Sequence, residues 1–167
     1  MDIKWRKLEQ VLNEFADAFI QEARDNLQEN KTNASYNLYN SFEKIIDIDQ
    51  NHFSVKISLA DYWVFVENGR KAGKFPPVSK IKDWVEIKPI SAIPDVNGRV
   101  PSVEQLTFLI SRKIAKEGTE PQPFFEPAKE EVLKRFELAI ELAIDEDISA
   151  FIEEQVIAKL EETFERF

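Results

Sequence analysis

Asp61–Pro77 reads DYWVFVENGRKAGKFPP. An apolar and aromatic run, Tyr62–Val66, leads into Glu67-Asn68-Gly69. A basic loop follows, Arg70–Pro77, which contains a glycine and stops at a double proline. Tyr62–Val66 is apolar on every side, so periodicity leaves a buried strand and a short helical turn both open. Gly69 suits a backbone position with positive φ. So distinctive a segment with so little titratable chemistry reads as a packing and docking device. Tyr62–Val66 is expected in the core, fixing where the chain emerges at Glu67-Asn68-Gly69. Arg70–Pro77 is the better candidate for contact with another subunit. Pro121–Ala128, PQPFFEPA, has the same character.

Upstream of this stretch, Leu8, Leu12, Phe15, Phe19, Ala23 and Leu27 recur at helical spacing with Val11 and Ile20 beside them. They predict an amphipathic helix over Ile3–Gln28. Asn30–Asn40 is rich in Asn and Ser, which favour turns and caps. It contains a glycosylation-type triplet, Asn33-Ala34-Ser35, discounted because no secretory signal is evident. Phe42–Ile48 and Phe53–Leu59 alternate apolar with polar residues around Asp49-Gln50-Asn51-His52, and predict a β-hairpin.

Downstream, Ser79–Ile87 predicts a short helix capped by Ser79, with Ile81, Trp84 and Val85 inward. Lys88–Pro101 holds three prolines and one glycine and reads as a loop. Ser102 opens a helix to Glu117 with a capping box to Gln105, and Gly118 ends it. Leu106, Leu109, Ile110 and Ile114, with Phe108 a further candidate, are its expected core face. Pro127 suits the first turn of a last helix. Its apolar stripe runs Val132/Phe136/Ala139/Ile140/Ala143, then Ile148/Phe151/Ile152/Val156/Leu160/Phe164, and the acidic run Asp145-Glu146-Asp147 predicts a bend between the two. The fold class is therefore α+β: a long N-terminal helix, a small antiparallel sheet, two middle helices and a long C-terminal helix. Residues 1–144 are expected to form one domain and 145–167 a helical extension packed on or next to it.

The chain has 167 residues, no cysteine and a formal net charge of −9. Without cysteine it has no disulfides, thiolate zinc sites or thiol nucleophile. The negative charge argues against non-specific nucleic-acid binding, which needs cations to displace counterions. No apolar run reaches the length of a membrane span. The first residues, MDIKWRKLEQ, carry charges where a signal peptide has its apolar core, so a protein that is intracellular or assembled inside a cell is expected. Charge is uneven along the chain. Residues 126–167 hold thirteen Asp/Glu against five Lys/Arg, whereas residues 70–88 hold six Lys/Arg against two Asp/Glu. These regions could attract each other between copies, or simply be solvated faces.

Gly69–Lys74 fails as a phosphate loop. Three residues separate the glycines instead of four, and Phe75 stands where the magnesium-binding hydroxyl belongs. Asp47-x-Asp49-x-Asn51 fails as a calcium loop, with His52 at the glycine position and Ser58 at the bidentate Glu position. His52, the one histidine, falls in a polar turn. Adjacent carboxylates such as Glu130/Glu131 and Glu153/Glu154 do not face each other on a helix. The fourteen residues between the middle helices exclude a helix-turn-helix. No enzyme chemistry, metal or cofactor is expected. Trp63, Phe65 and Phe124 are expected to close the core, with an interface role as the alternative.

The order of phrases resembles a known family. After the N-terminal helix come Asn37-Leu38-Tyr39-Asn40-Ser41, the hairpin, Tyr62…Val66-Glu67-Asn68-Gly69, a loop, and Pro123-Phe124-Phe125-Glu126-Pro127-Ala128 entering the last helix. Over roughly residues 5–145 this resembles the tail-component family of long-tailed bacteriophages: neck, tail-completion or head–tail joining proteins. The resemblance implies an α+β fold and a virion structural role. Copies would form a homo-oligomeric ring at the head–tail junction or cap the tail tube, touching other phage neck or tail proteins. No membrane or sequence-specific nucleic-acid partner is implied. The candidate subunit-contact residues are Glu67, Asn68, Gly69, Arg70, Lys71, Lys74, Phe75, Pro76 and Pro77, with Phe124 and Phe125. The segment between Gly69 and Pro123 is longer than the simpler family pattern, and the extension Asp145–Phe167 is generous. The alternative is a soluble, non-enzymatic protein-binding module, an adaptor or inhibitor, with an acidic helical face.

Overall fold

The computed structural model describes residues 2–30, 36–50, 52–88, 94 and 98–164. The elements are α1 (Arg6–Glu29), α2 (Asn37–Asn40), β1 (Glu43–Ile48), β2 (Phe53–Ser58), α3 (Trp63–Glu67), α4 (Val78–Ile87), α5 (Val103–Glu117) and α6 (Phe125–Phe164). The class is α+β, with β1 and β2 forming a two-stranded antiparallel sheet. The Asn33-Ala34-Ser35 triplet and most of the Lys88–Pro101 loop lie outside the described residues. The chain divides into two compact units. One comprises Met1–Ala23, Glu43–Ser58 and Glu126–Phe167; the other comprises Arg24–Phe42 and Leu59–Phe125.

In the first unit the core is the apolar stripe of α1 with one face of α6. Leu8, Leu12, Ala16, Phe19 and Ala23 are buried, as are Ala128, Val132 and Ala143. Phe15 and Phe136 meet edge-on, ring centres 5.8 Å apart. Buried alanines, Ala16 and Ala23 on α1 and Ala128 and Ala143 on α6, alternate with larger side chains along both helices. In the hairpin, Ile46 pairs with Val55, Ile48 with Phe53 and Lys44 with Ile57, so these six residues share a face. A lone hairpin is marginal in water and needs a cover. Here Trp5 packs edge-on against Phe53 at 5.0 Å, and Lys44 reaches Asp17 on α1 at 2.7 Å.

Helix α6 runs unbroken through Asp145-Glu146-Asp147, where the acidic run predicts a bend. Asp147 is only 6 % exposed. Its carboxylate accepts the N–H of Lys7 at 3.1 Å and of Leu8 at 2.9 Å. These amides belong to the first turn of α1, where backbone donors have no partner within the helix. Trp5, just before that turn, has no side-chain oxygen to offer them. Asp147 therefore caps α1 from a distance and favours the positive end of its dipole.

In the second unit, Ser102 and Gln105 form the reciprocal capping box at the start of α5, and Gly118, at φ 79°, ends it. Two expectations need correction. Helix α4 begins at Val78, one residue early; Pro77 is its N-cap, with no side-chain cap bond, so Ser79 does not cap it. On α5 the buried residues are Thr107 and Ser111. Leu106, Ile110 and Ile114 are half-buried, while Leu109 and Phe108 are exposed. Small side chains along Thr107, Ser111 and Ala115 admit close backbone approach. The Gly73 N–H reaches the Ala115 carbonyl at 2.8 Å. Leucines on that stripe would hold the neighbouring chain away.

Candidate docking surface

Helix α3 settles the Tyr62–Val66 run as a helical turn, and an amphipathic one. Trp63 and Val66 are half-buried and Glu67 is buried. Tyr62, Val64 and Phe65 are exposed, against the expectation of a core segment. Partial desolvation of its ring still pushes the Tyr62 phenol above its ordinary pKa. A hydrogen bond with the Leu38 backbone opposes this and Asp61 adds to it.

Glu67 joins the two phrases that stand apart in sequence. Its Oε2 accepts the N–H of Phe124 and of Phe125, both at 2.8 Å. Phe125 is the first residue of α6, and Phe124 before it has no side-chain oxygen, so Glu67 supplies the cap. Other bonds fix the same junction. Asn26 and Asn30 donate to the Phe124 and Pro123 carbonyls at 3.1 and 3.0 Å, and the Gln122 N–H reaches Val66 O at 2.8 Å. The Phe124 ring is fully buried, edge-on to Phe42, and Trp63 lies 4.9 Å from Phe125. Glu67 and Phe124, both candidate subunit contacts, are thus consumed inside the fold. Their side chains position the surface and do not form it.

Gly69 takes φ 68°, and a Cβ there would run into the Thr119 carbonyl oxygen; at Gly118 it would run into Arg70 O. The two glycines let the backbones come close enough to pair. Arg70 N–H bonds Thr119 O at 3.0 Å and Thr119 N–H bonds Arg70 O at 2.8 Å. That bridge launches the basic loop in one direction.

The loop is then held by its own arginine. Arg70 Nη2 donates to the carbonyls of Lys74 and Phe75, each at 3.1 Å. The guanidinium sits 5.7 Å from the Phe65 ring, and the Phe75 ring lies 6.3 Å from Phe108 on α5. Pro76 is buried beneath. Phe65, Phe75 and Phe108 are 55 %, 51 % and 55 % exposed, and Asn68, Lys71, Lys74, Pro77 and Arg112 are exposed around them. The result is an open aromatic surface bridged by a guanidinium, with a cationic rim. Large aromatics left in water together are informative, because burying them elsewhere would be favourable. Phe108 joins this surface although the sequence places it as a candidate for the α5 core face, and Phe65 joins it although an interface role is only the alternative to core packing. Each lies within an apolar run or helix, and only the structure shows which way each points.

A cleft of about 520 Å³ is lined by Ile3–Arg6, Glu9 and Ile46–Gln50, including Trp5, whose buried Nε1 has no hydrogen-bond partner among the described residues. None of its lining residues belongs to Asp61–Pro77 or Pro121–Ala128. Among the described residues no group of three or more His, Asp or Glu could hold a metal ion, and no helix is long and apolar enough to cross a membrane. Compared with family models, curated proteins and solved structures, the chain matches none of them.

Proposed function

We propose that this protein is a structural subunit of a bacteriophage particle, at the head–tail junction or the tail end, working through contacts between copies in a ring. The carrying observation is the surface Phe65–Arg70–Phe75–Phe108. It is exposed, aromatic and cationic, and it stands on a scaffold of pinned backbone: the Glu67 cap, the Gly69 approach and the Arg70–Thr119 bridge. Preformed aromatic and arginine groups are the usual anchors of protein interfaces. The order of phrases supports the phage reading, and two of those phrases build this scaffold.

The test is removal of the chain from its phage or prophage. Expected are heads and tails that fail to join, or tails of wrong termination, and the chain present in purified wild-type particles by mass spectrometry. Particles that lack the chain and assemble normally without it would overturn the reading. A soluble binding module would then be the better account of the same surface.

A further inference from the structure

Helix α6 carries apolar residues on two faces. One is the buried face of Ala128, Val132 and Ala143. The other runs Leu138, Leu142, Ile152, Val156 and Leu160, every one more than half exposed. Their spacing, with Asp145 and Ser149 completing the sequence, is four, three, four, three, four and four residues, which keeps them on one side of a helix. At 1.5 Å per residue the stripe is about 33 Å long. It faces away from the side of α6 on which Asp147 caps α1 and Glu154 meets Lys4 at 3.0 Å.

We infer that this stripe docks on the aromatic–cationic surface of a second copy, head to tail; the inference rests on the ring reading above. Charge chooses the occupant. Acidic residues Glu141, Asp145 and Glu153 lie along the stripe, and Lys71, Lys74 and Arg112 rim the aromatic surface. Apolar stripe meets aromatic floor and anionic flank meets cationic rim. Pairing two α6 stripes antiparallel about Ser149 would match Leu138 with Leu160 and Leu142 with Val156. It would also set Asp145 of each copy against Glu153 of the other, which like charges oppose. A contact between unlike patches repeats around a ring, whereas a two-fold pairing stops at a dimer.

The absence of cysteine makes the test clean. Lys74→Cys and Glu153→Cys chains, mixed and oxidised, should give a covalent dimer that neither variant gives alone. Lys71→Glu with Lys74→Glu should weaken self-association about tenfold or more at low salt, and Asp145→Lys with Glu153→Lys should restore it. Preferential cross-linking of a Leu142→Cys plus Val156→Cys mixture, or a strict monomer at every soluble concentration, would overturn the inference. Cross-linking in solution by a chain absent from particles would sink the ring-in-particle reading and leave this contact standing. A chain present in particles whose Lys74→Cys and Glu153→Cys variants never cross-link there would sink the contact alone.

Discussion

Replacing Glu67 with alanine should loosen the junction on which the candidate docking surface stands. Two backbone amides, of Phe124 and Phe125, give their hydrogen bonds to one carboxylate oxygen at 2.8 Å. Bonds to a charged group contribute about 1.5–3 kcal/mol each, and a buried donor left alone costs about 1–3 kcal/mol. Phe124 N is buried and stays unpaired in the variant, whereas the part-buried Phe125 N can recover some of its loss from water. The sum is about 3–5 kcal/mol. Loss of negative charge at the positive end of α6 belongs to the same effect and is not added again. For a chain of this size, about 2–4 °C per kcal/mol puts the fall in melting temperature at roughly 10 °C. Glu67→Gln keeps an acceptor oxygen but no charge, and should fall between the two.

Melting alone does not identify the cause, so the assay is amide hydrogen exchange read residue by residue. The Phe124, Phe125 and Gln122 amides should lose protection in Glu67→Ala, and the Lys7 and Leu8 amides should keep theirs. Unchanged protection at Phe124 and Phe125 would refute the capping role. So would an alanine variant as stable as the glutamine one.

Asp147→Ala should cost about 2–4 kcal/mol by stranding the Lys7 and Leu8 amides, with exchange at Leu8 rising most because its bond is buried and shorter. Gly69→Ala should cost about 2–4 kcal/mol, since it combines positive φ with a clash against the Thr119 backbone, and nuclear magnetic resonance should show the Arg70 and Thr119 amides unpaired. Ser102→Ala should cost about 1 kcal/mol and fray the first turn of α5, seen as faster exchange at Gln105. Glu104 titrates below the usual carboxylate range through a hydrogen bond to its own backbone, aided by Ser102 and by Lys82. Its contribution is therefore present at neutral pH and lost as pH falls through its folded-state value; Glu104→Gln should show less acid fraying of α5 between those limits.

Where a structural cause lies within a few residues, the sequence is informative here. The α1 stripe, the alternation in β1 and β2, and the Ser102–Gln105 box all act over one or two turns or a hairpin, and each is found where its pattern predicts. The misses involve longer reach. Glu67 meets Phe124 across 57 residues and Asp147 meets Leu8 across 139. Capping is ordinarily sought in the Ser, Thr, Asp or Asn that precedes a helix. Trp5 and Phe124 occupy those places, so both helices borrow an acid from elsewhere. The acidic run at 145–147 reads as a bend for the same reason: nothing local reveals that one of its members faces inward with two donors. Likewise Thr107 and Ser111 look like solvent-facing positions, yet both are buried on α5, the helix that packs against α4 and whose Ala115 carbonyl takes the Gly73 N–H.

The candidate contact residues divide along the same line. Lys71, Lys74 and Phe75 are exposed, as a contact loop would need, whereas Arg70 is half-buried and spends its guanidinium on the Lys74 and Phe75 carbonyls. Glu67 and Phe124 are legible as important but not as buried, because a distinctive phrase marks either a contact or its support without telling them apart. Helix α6 shows a third case. Its apolar residues, taken as one stripe, suggest a single inward face that changes direction at 145–147. Resolved by exposure they are two faces on one unbroken helix, Ala128–Val132–Ala143 inside and Leu138–Leu142–Ile152–Val156–Leu160 outside. A helix apolar on one face needs one partner; apolar on two, it needs two. The first unit supplies α1 for the inner face. An outer face of that length, left in water, is unfavourable unless something covers it in the working state; the head-to-tail contact proposed above would cover it, with its acidic flanks against a cationic rim.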